Sequence, residues 1–420
     1  MILITWMPIS EDRRNSRGGS FEFMKWNQMK RKTLILVGLA LATASCFSAD
    51  HPKTTITNGL IRANLYLPNV RTGYYRGTRF DWSGVVSNLK YAGHNYYPEW
   101  FQRMDPKVRD FVYDGAAIVA GPCTAITGMP EEFVSDKKAL GFDEAEVGGT
   151  FIKIGVGVLR KPDDAPYDVF RVYDIVDGGK WSIKRKTDSV EFRQELSDPA
   201  TGYAYVYRKT VSLTKGKAQM VLDHSLRNTG SRIIESSVYD HNFLFLDRQP
   251  PSPDFEVTFP FSIQAERSLS NDFAELRNNR VVFLKTLAGE DRVQFGIEGY
   301  SNEAKDYDIR VENHKVGAGV RITGDRPLSR EFLWSIRAPL SVEPFIDMKI
   351  APSEEFTWRS LTTTTRCRRT AIRRGVSGES CAIAHQFLIL AERPTFFQGQ
   401  FWRSPSQCPS LPQPLQPAEA

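Results

Sequence analysis

Cysteine is scarce: five in 420 residues, of which only Cys123 lies between positions 50 and 365. That central stretch can therefore hold no internal disulfide, and its stability has to come from an apolar core. No apolar run approaches the roughly 20 residues a membrane-spanning helix needs. The stretch also lacks a long 3.6-period apolar stripe and any repeat of fixed length, which argues against helical bundles, solenoids and propellers. An excess of positive charge is missing as well once the ends are set aside. Residues 1–49 and 366–420 each hold seven Lys/Arg against three Asp/Glu, so the formal +6 of the whole chain belongs to its ends. The body keeps 41 basic and 43 acidic residues, which gives no basic face for nucleic acid.

The ends have their own character. Lys30-Arg31-Lys32 precedes the apolar run Thr33–Ala44, followed by small residues and Cys46. This pattern predicts a secretory signal starting at Met29, with cleavage after Ala44 in Ala42-Thr43-Ala44, and a periplasmic or secreted protein. Thr43-Ala44-Ser45-Cys46 is a poorer match to a lipid-attachment box. From Arg366 onward, Arg-rich and then Pro/Ser/Gln-rich sequence carries Cys367, Cys381 and Cys408, as a disordered or frameshifted tail would. The expected folded unit is residues 50–365, about 316 residues, enough for one large core.

What fills that unit is period-two alternation. Ile61, Ala63, Leu65 and Leu67 oppose Leu60, Arg62, Asn64 and Tyr66; Val190, Phe192 and Leu196 oppose Glu191, Arg193 and Glu195. These predict half-buried strands. Residues 203–213, a Thr214-Lys215-Gly216-Lys217 turn and 218–226 read as a hairpin. After Arg227-Asn228-Thr229-Gly230, residues 233–245 read as the third strand of a meander. Further strands are expected at 281–287, 292–299, 307–312, 317–322, 331–336 and 356–361, with one short helix at 131–139. The class is all-β, a large antiparallel sandwich.

Two features carry chemistry. Tyr74 to Phe101 contains nine aromatics in 28 residues, where the overall 12% predicts about three. Such a cluster is either a core corner or a platform on which sugar rings stack, with Arg76, Arg79, Asp81, Asn95 and Glu99 available for hydroxyls. Second, Val238-Tyr239-Asp240-His241-Asn242-Phe243 and Ser341-Val342-Glu343-Pro344-Phe345 each set one titratable group among strand formers, about a hundred residues apart. Brought together, His241 and Glu343 would be an acid and a base. Pro344 removes a ladder donor, which places Glu343 at a strand end or edge. His224, on the face of Met220, Leu222 and Leu226, reads as a core histidine.

Leu226-Arg227-Asn228-Thr229-Gly230 followed by Tyr239-Asp240-His241-Asn242-Phe243, then Trp334-Ser335, Val342-Glu343-Pro344-Phe345 and Ile350-Ala351-Pro352-Ser353-Glu354-Glu355-Phe356-Thr357-Trp358, resembles the galactose mutarotase (aldose 1-epimerase) family in order and spacing over most of residues 54–365. The resemblance implies a β-supersandwich with an open sugar cleft. Glu343 would take the anomeric hydroxyl proton while His241 protonates the ring oxygen, with no metal or organic cofactor and a sugar or glycan end as partner. The family's Gly-Arg pair and its histidine in a His-Gly-Gly context have no direct counterpart here; Arg79 and His94 stand in their place. Trp82 and Asn242 complete the expected substrate-binding set. Gly128–Phe133 and Leu140–Glu144 match no family feature. A noncatalytic sugar-binding protein of the same fold and a structural envelope protein are alternatives. A polysaccharide lyase or hydrolase is disfavoured because no second carboxylate or Tyr/His cluster is evident beside His241.

Overall fold

Alternation becomes strand throughout the computed structural model, which describes residues 51–267 and 272–367. The described residues contain no α-helix, only two short 3-10 turns, Leu246–Arg248 and Ala304–Asp306, and no helix long and apolar enough to cross a membrane. The expected signal segment and most of the expected tail lie outside the described residues. At the tail boundary the last strand, Glu355–Arg366, continues to Arg366.

The larger sheet has ten strands. Lys180–Arg185, Ser189–Asp198, Tyr203–Leu213 and Gln219–Asn228 form a four-strand meander; Glu355–Arg366 pairs onto the last of these, and five further strands follow. The second sheet has six strands in the order Gln264–Ala265, Arg292–Glu298, Arg330–Ile336, Leu340–Ile350, Ile234–Asp240 and Glu131–Val134. One core joins the two. Phe192, Tyr205 and Leu222 of the first sheet and Val238, Leu333 and Val342 of the second belong to a single buried cluster. Each such side chain, fully buried, stabilises the fold by about 1.5–3 kcal/mol.

Two local expectations are corrected here. Residues 233–245 do not extend the meander: Ile234–Asp240 pairs with Leu340–Ile350 and Glu131–Val134 in the six-stranded sheet. At the crossing, Asn228 Nδ2 donates to Arg232 O at 2.7 Å and Ile350 O at 2.9 Å, which ties the turn to the opposite sheet. Nor is there a helix at 131–139. Glu131–Val134 is a strand ending in a tight turn, where Asp136 and Lys137 take left-handed φ values of 45° and 64° and Ser135 bridges Lys138. That is the turn geometry hairpins prefer, and a short apolar run does not distinguish it from a helical turn by period alone.

Strand alternation also sets what faces outward. Val238 and Val342 point into the sandwich, so Tyr239, His241, Ser341, Glu343 and Phe345 occupy the other face. That face is covered by a second apolar cluster containing Phe80, Trp82, Trp100, Phe151 and Phe243.

Candidate active site

His241 and Glu343 meet on this outer face. Imidazole Nε2 lies 3.3 Å from Glu343 Oε1, and Nδ1 lies 2.9 Å from Ser341 Oγ. The backbone explains the meeting. Pairing of Ile234–Asp240 with Leu340–Ile350 stops at Tyr239 opposite Phe345, so Pro344 is spared a ladder bond on that side, and pairing resumes only at Leu244 with Leu340. Glu343 thus sits inside an eleven-residue central strand rather than at an edge, beside a local gap in the ladder. Across the gap, Asn242 Nδ2 donates to Val342 O at 3.0 Å and Asp240 O at 3.1 Å. On its other side, His241 N donates to Pro130 O and Phe243 N to Gly128 O, both at 2.9 Å. The otherwise unassigned stretch after Gly128 therefore anchors the histidine. Gly128 has φ +87°, and a Cβ there would lie 2.3 Å from Val86 O, so no other residue fits.

The imidazole is packed on three sides. Phe243 stacks on it at 3.9 Å, while Phe80 and Trp334 meet it edge-on at 5.7 and 5.6 Å. His241 and Glu343 are only 6% and 7% exposed. Burial pushes the Glu343 carboxyl up to about 8, with Glu132 pushing further and Arg79 pulling back. Burial, then Arg79, holds His241 well below the ordinary imidazole range. A 3.3 Å His–Glu contact looks like an ion pair, but both directions point to a neutral pair at pH 7, with the proton on the carboxyl.

Around the pair is a group that sequence reasoning did not assemble. Glu132 accepts from Arg79 Nε at 2.7 Å, from Tyr239 OH at 2.7 Å and from Lys153 Nζ at 3.2 Å. Burial alone would push the Glu132 carboxyl up; Arg79 and Lys153 hold it below the usual carboxylate range. Burial lowers Lys153 and raises Tyr239. These residues supply the carboxylate and tyrosine beside His241 whose absence counted against a lyase. Tyr239, however, is already engaged by Arg79 and Glu132 and is held well above its ordinary range, which makes it a poor base.

The structure brings Arg79 into this site and leaves the other expected binding residues elsewhere or otherwise engaged. Trp82 is buried, and its indole N–H donates to Gly77 O at 2.8 Å. Seven of the nine clustered aromatics are buried, so most of that segment is core rather than platform. Asn242 spends its amide on the backbone. His94 pairs through Nδ1 with Asp247 at 2.6 Å at the end of the four-stranded sheet. His94→Gln is accordingly expected to leave any anomerisation rate of the protein within about twofold of wild type, as for surface changes away from a site; exchange NMR measures it, and a tenfold loss would return His94 to the site. His224 is a core histidine, stacked on Trp358 at 4.5 Å with Nε2 2.6 Å from Glu131. Among the described residues, Glu256, Glu312 and His314 bring ligand atoms within 4.8 Å of one another, but Glu256 and Glu312 lie on the ten-stranded sheet with His314 in the turn after it, and Glu256 is bound by Arg280 at 3.1 Å.

A cleft of about 830 Å³ lies along the same outer face, lined by Val134, Leu140, Phe142, Ser237 and Asp347. Ser237 and Asp347 are the pair two steps along the ladder from Tyr239 and Phe345, the next on the same face. The previously unmatched 140–144 stretch forms one wall of this cleft.

Fold and site thus define an antiparallel β-sandwich carrying a buried His–Glu pair on one sheet face. In fold the chain is similar to solved structures of a galactose mutarotase related enzyme from Lactobacillus acidophilus (13% identity, 75% of this chain and 98% of that one, TM-score 0.46), an aldose epimerase homologue from C. elegans (12%, 75% and 99%, 0.45) and a galactose mutarotase-like protein from Lactobacillus casei (13%, 74% and 100%, 0.44). No protein-family model and no curated protein matches the sequence.

Proposed function

We propose that the protein is an exported sugar anomerase of the aldose 1-epimerase type, with Glu343 and His241 as its base and acid. The observation that carries this reading is the 3.3 Å approach of two groups a hundred residues apart, on a sheet face packed against an apolar cluster. The reaction needs one group to take the proton from O1 and another to give a proton to O5 while the C1–O5 bond breaks. The open-chain aldehyde then rotates about C1–C2, and the reverse transfers close the ring on the other face. Opening consumes the ionised form of the pair, carboxylate plus imidazolium, and leaves the neutral form. Both forms therefore belong to one cycle, linked by transfer of a single proton between Glu343 and Nε2. Burial favours the neutral form at rest and makes the ionised form a strong acid beside a strong base. Arg79 and Phe345 are half-buried and Arg330 is exposed, and a sugar would have to approach the pair from their side.

Exchange NMR or polarimetry on purified protein tests the reading. Wild type is expected to accelerate anomerisation, and His241→Gln to lose about 10²–10⁴-fold, the range of a general acid or base. An unchanged rate in His241→Gln rejects the assignment. Sugar binding without acceleration would favour a noncatalytic binding protein, a reading that the low exposure of the pair also supports.

A further inference from the structure

The positive charge beside the pair exceeds what a neutral sugar calls for. Arg79 lies between the rings of Phe80 and Phe170, at 4.4 and 5.1 Å. Its Nε and Nη2 are spent on Glu132 and Tyr239, while Nη1 donates to no group among the described residues. Lys153, 1% exposed, is a second cation on the same Glu132 carboxylate. Arg330 spans Phe332 and Phe345, each at 5.2 Å, with no carboxylate partner among the described residues. Against these three cations stand Glu132 and Asp110, the latter held by Thr124 Oγ1 at 2.8 Å. Nearby Arg109 and Arg171 are matched by Asp168 and Asp163. Burial holds the carboxyls of Glu343 and neighbouring Glu331 well above the usual range, so the cations around the pair outweigh the anions. Arg330 is exposed and carries no carboxylate of its own among the described residues, Arg79 keeps one N–H edge unspent, and a cationic edge of this kind favours an anionic ligand.

We propose that the site takes an acidic sugar, a uronate-type ring whose carboxylate binds the open Nη1 edge of Arg79. This rests on the anomerase reading and names its substrate class. In a pyranuronate the carboxylate sits on C5, the atom bonded to O5, so a group that protonates O5 lies next to whatever binds the carboxylate. Arg79 meets that requirement, since its charge acts on both His241 and Glu343. The phosphate of a hexose 6-phosphate carries up to two charges and lies further from O5. A bound carboxylate also takes over the role of counterion, so Glu343 keeps its proton to higher pH.

The test compares galacturonate and glucuronate with galactose, glucose and glucose 6-phosphate by exchange NMR on the full chain. Uronates are expected to be turned over about ten- to hundredfold more efficiently than the hexoses, the worth of one charge-assisted hydrogen bond. The high-pH limb should also lie higher with uronate than with hexose. Lys153→Met and, on the surface where folding is not at risk, Arg330→Gln should each lower the uronate-to-hexose ratio. Faster turnover of hexose or hexose phosphate overturns the acidic-sugar proposal and leaves the anomerase standing. Uronate binding by titration, weakened in Arg330→Gln but without turnover of any sugar, upholds the acidic ligand and rejects the anomerase. Neither binding nor turnover rejects both.

Discussion

Glu343→Gln is expected to abolish anomerisation and, at the same time, to make the protein more stable above pH 8 than the wild type. The two effects share a cause. The folded protein raises the Glu343 carboxyl from its ordinary 4.5 to about 8, chiefly by burial. Below about pH 4.5 the group is protonated in both the folded and unfolded chain and contributes no pH dependence. Between 4.5 and 8 the unfolded chain releases the proton while the folded one retains it, so the unfolded state binds fewer protons and folding stability falls as pH rises. Above 8 the folded state must hold an ionised carboxylate in an apolar site. Glutamine has nearly the same shape and no proton to lose. Denaturant midpoints from pH 4 to 9 should therefore show the variant gaining on wild type by a few kcal/mol as pH rises, with the gap confined to that window. Asp240, pushed up to about 7 by burial and Glu131, has the same sign but is present in both proteins and cancels. A gap that does not change with pH would mean that Glu343 is not the raised carboxyl and that the neutral resting pair is wrong.

Activity in the wild type should follow the same group. The pair must carry one transferable proton, so the rate should decline as pH passes through about 8, where Glu343 loses it. His241 sets no limb near neutrality, because burial and Arg79 keep it well below its usual range.

The strands were legible because one face of each is buried and the other is not. The alternation at Ile61–Leu65 and Val190–Leu196 reappears as buried Ile61, Ala63, Leu65, Val190, Phe192 and Leu196. Sheet membership was not legible. Ile234–Asp240 carries the same pattern whether it extends a meander or crosses to the second sheet, and the hydrogen bonds of the Asn228 side chain to Arg232 O and Ile350 O that accompany the crossing are not encoded in that pattern. His241 and Glu343 stood out as titratable groups among strand formers. Their contact depends on register, which no local pattern encodes. The ion cluster was missed for a different reason. Lys153 sits in Phe151-Ile152-Lys153-Ile154 and Glu132 beside Glu131, and a charge in an apolar run was the available signal. Burial of a charge is uncommon enough that Lys153 in this run calls for a carboxylate partner, but which carboxylate supplies it is fixed only by the fold. The aromatic segment misled in the opposite sense, because composition alone cannot separate rings that face a ligand from rings that face each other.

Removing the carboxylate that holds this cluster should have the largest effect on stability. Glu132 is the only carboxylate that touches both Arg79 and Lys153 among the described residues, and it also accepts from Tyr239. Glu132→Gln keeps the volume and deletes the charge, leaving two buried cations facing each other. Breaking one side of a buried pair costs about 3–5 kcal/mol, because the remaining charge is left uncompensated. The loss should be read from denaturant unfolding at pH 7. Glu132→Gln combined with Lys153→Met removes one of the stranded cations and should recover part of the loss, with a coupling of at least about 1 kcal/mol, as for residues in one network. The same substitution acts on the chemistry. Glu132 is one of the charges pushing the Glu343 carboxyl up, so its loss, with Arg79 retained, should move the high-pH limb of the activity below 8. A Glu132→Gln protein within 1 kcal/mol of wild type and with an unmoved limb would show that Arg79 and Lys153 find their counterion elsewhere. The excess of positive charge beside His241 and Glu343, and the acidic substrate inferred from it, would then lose their basis.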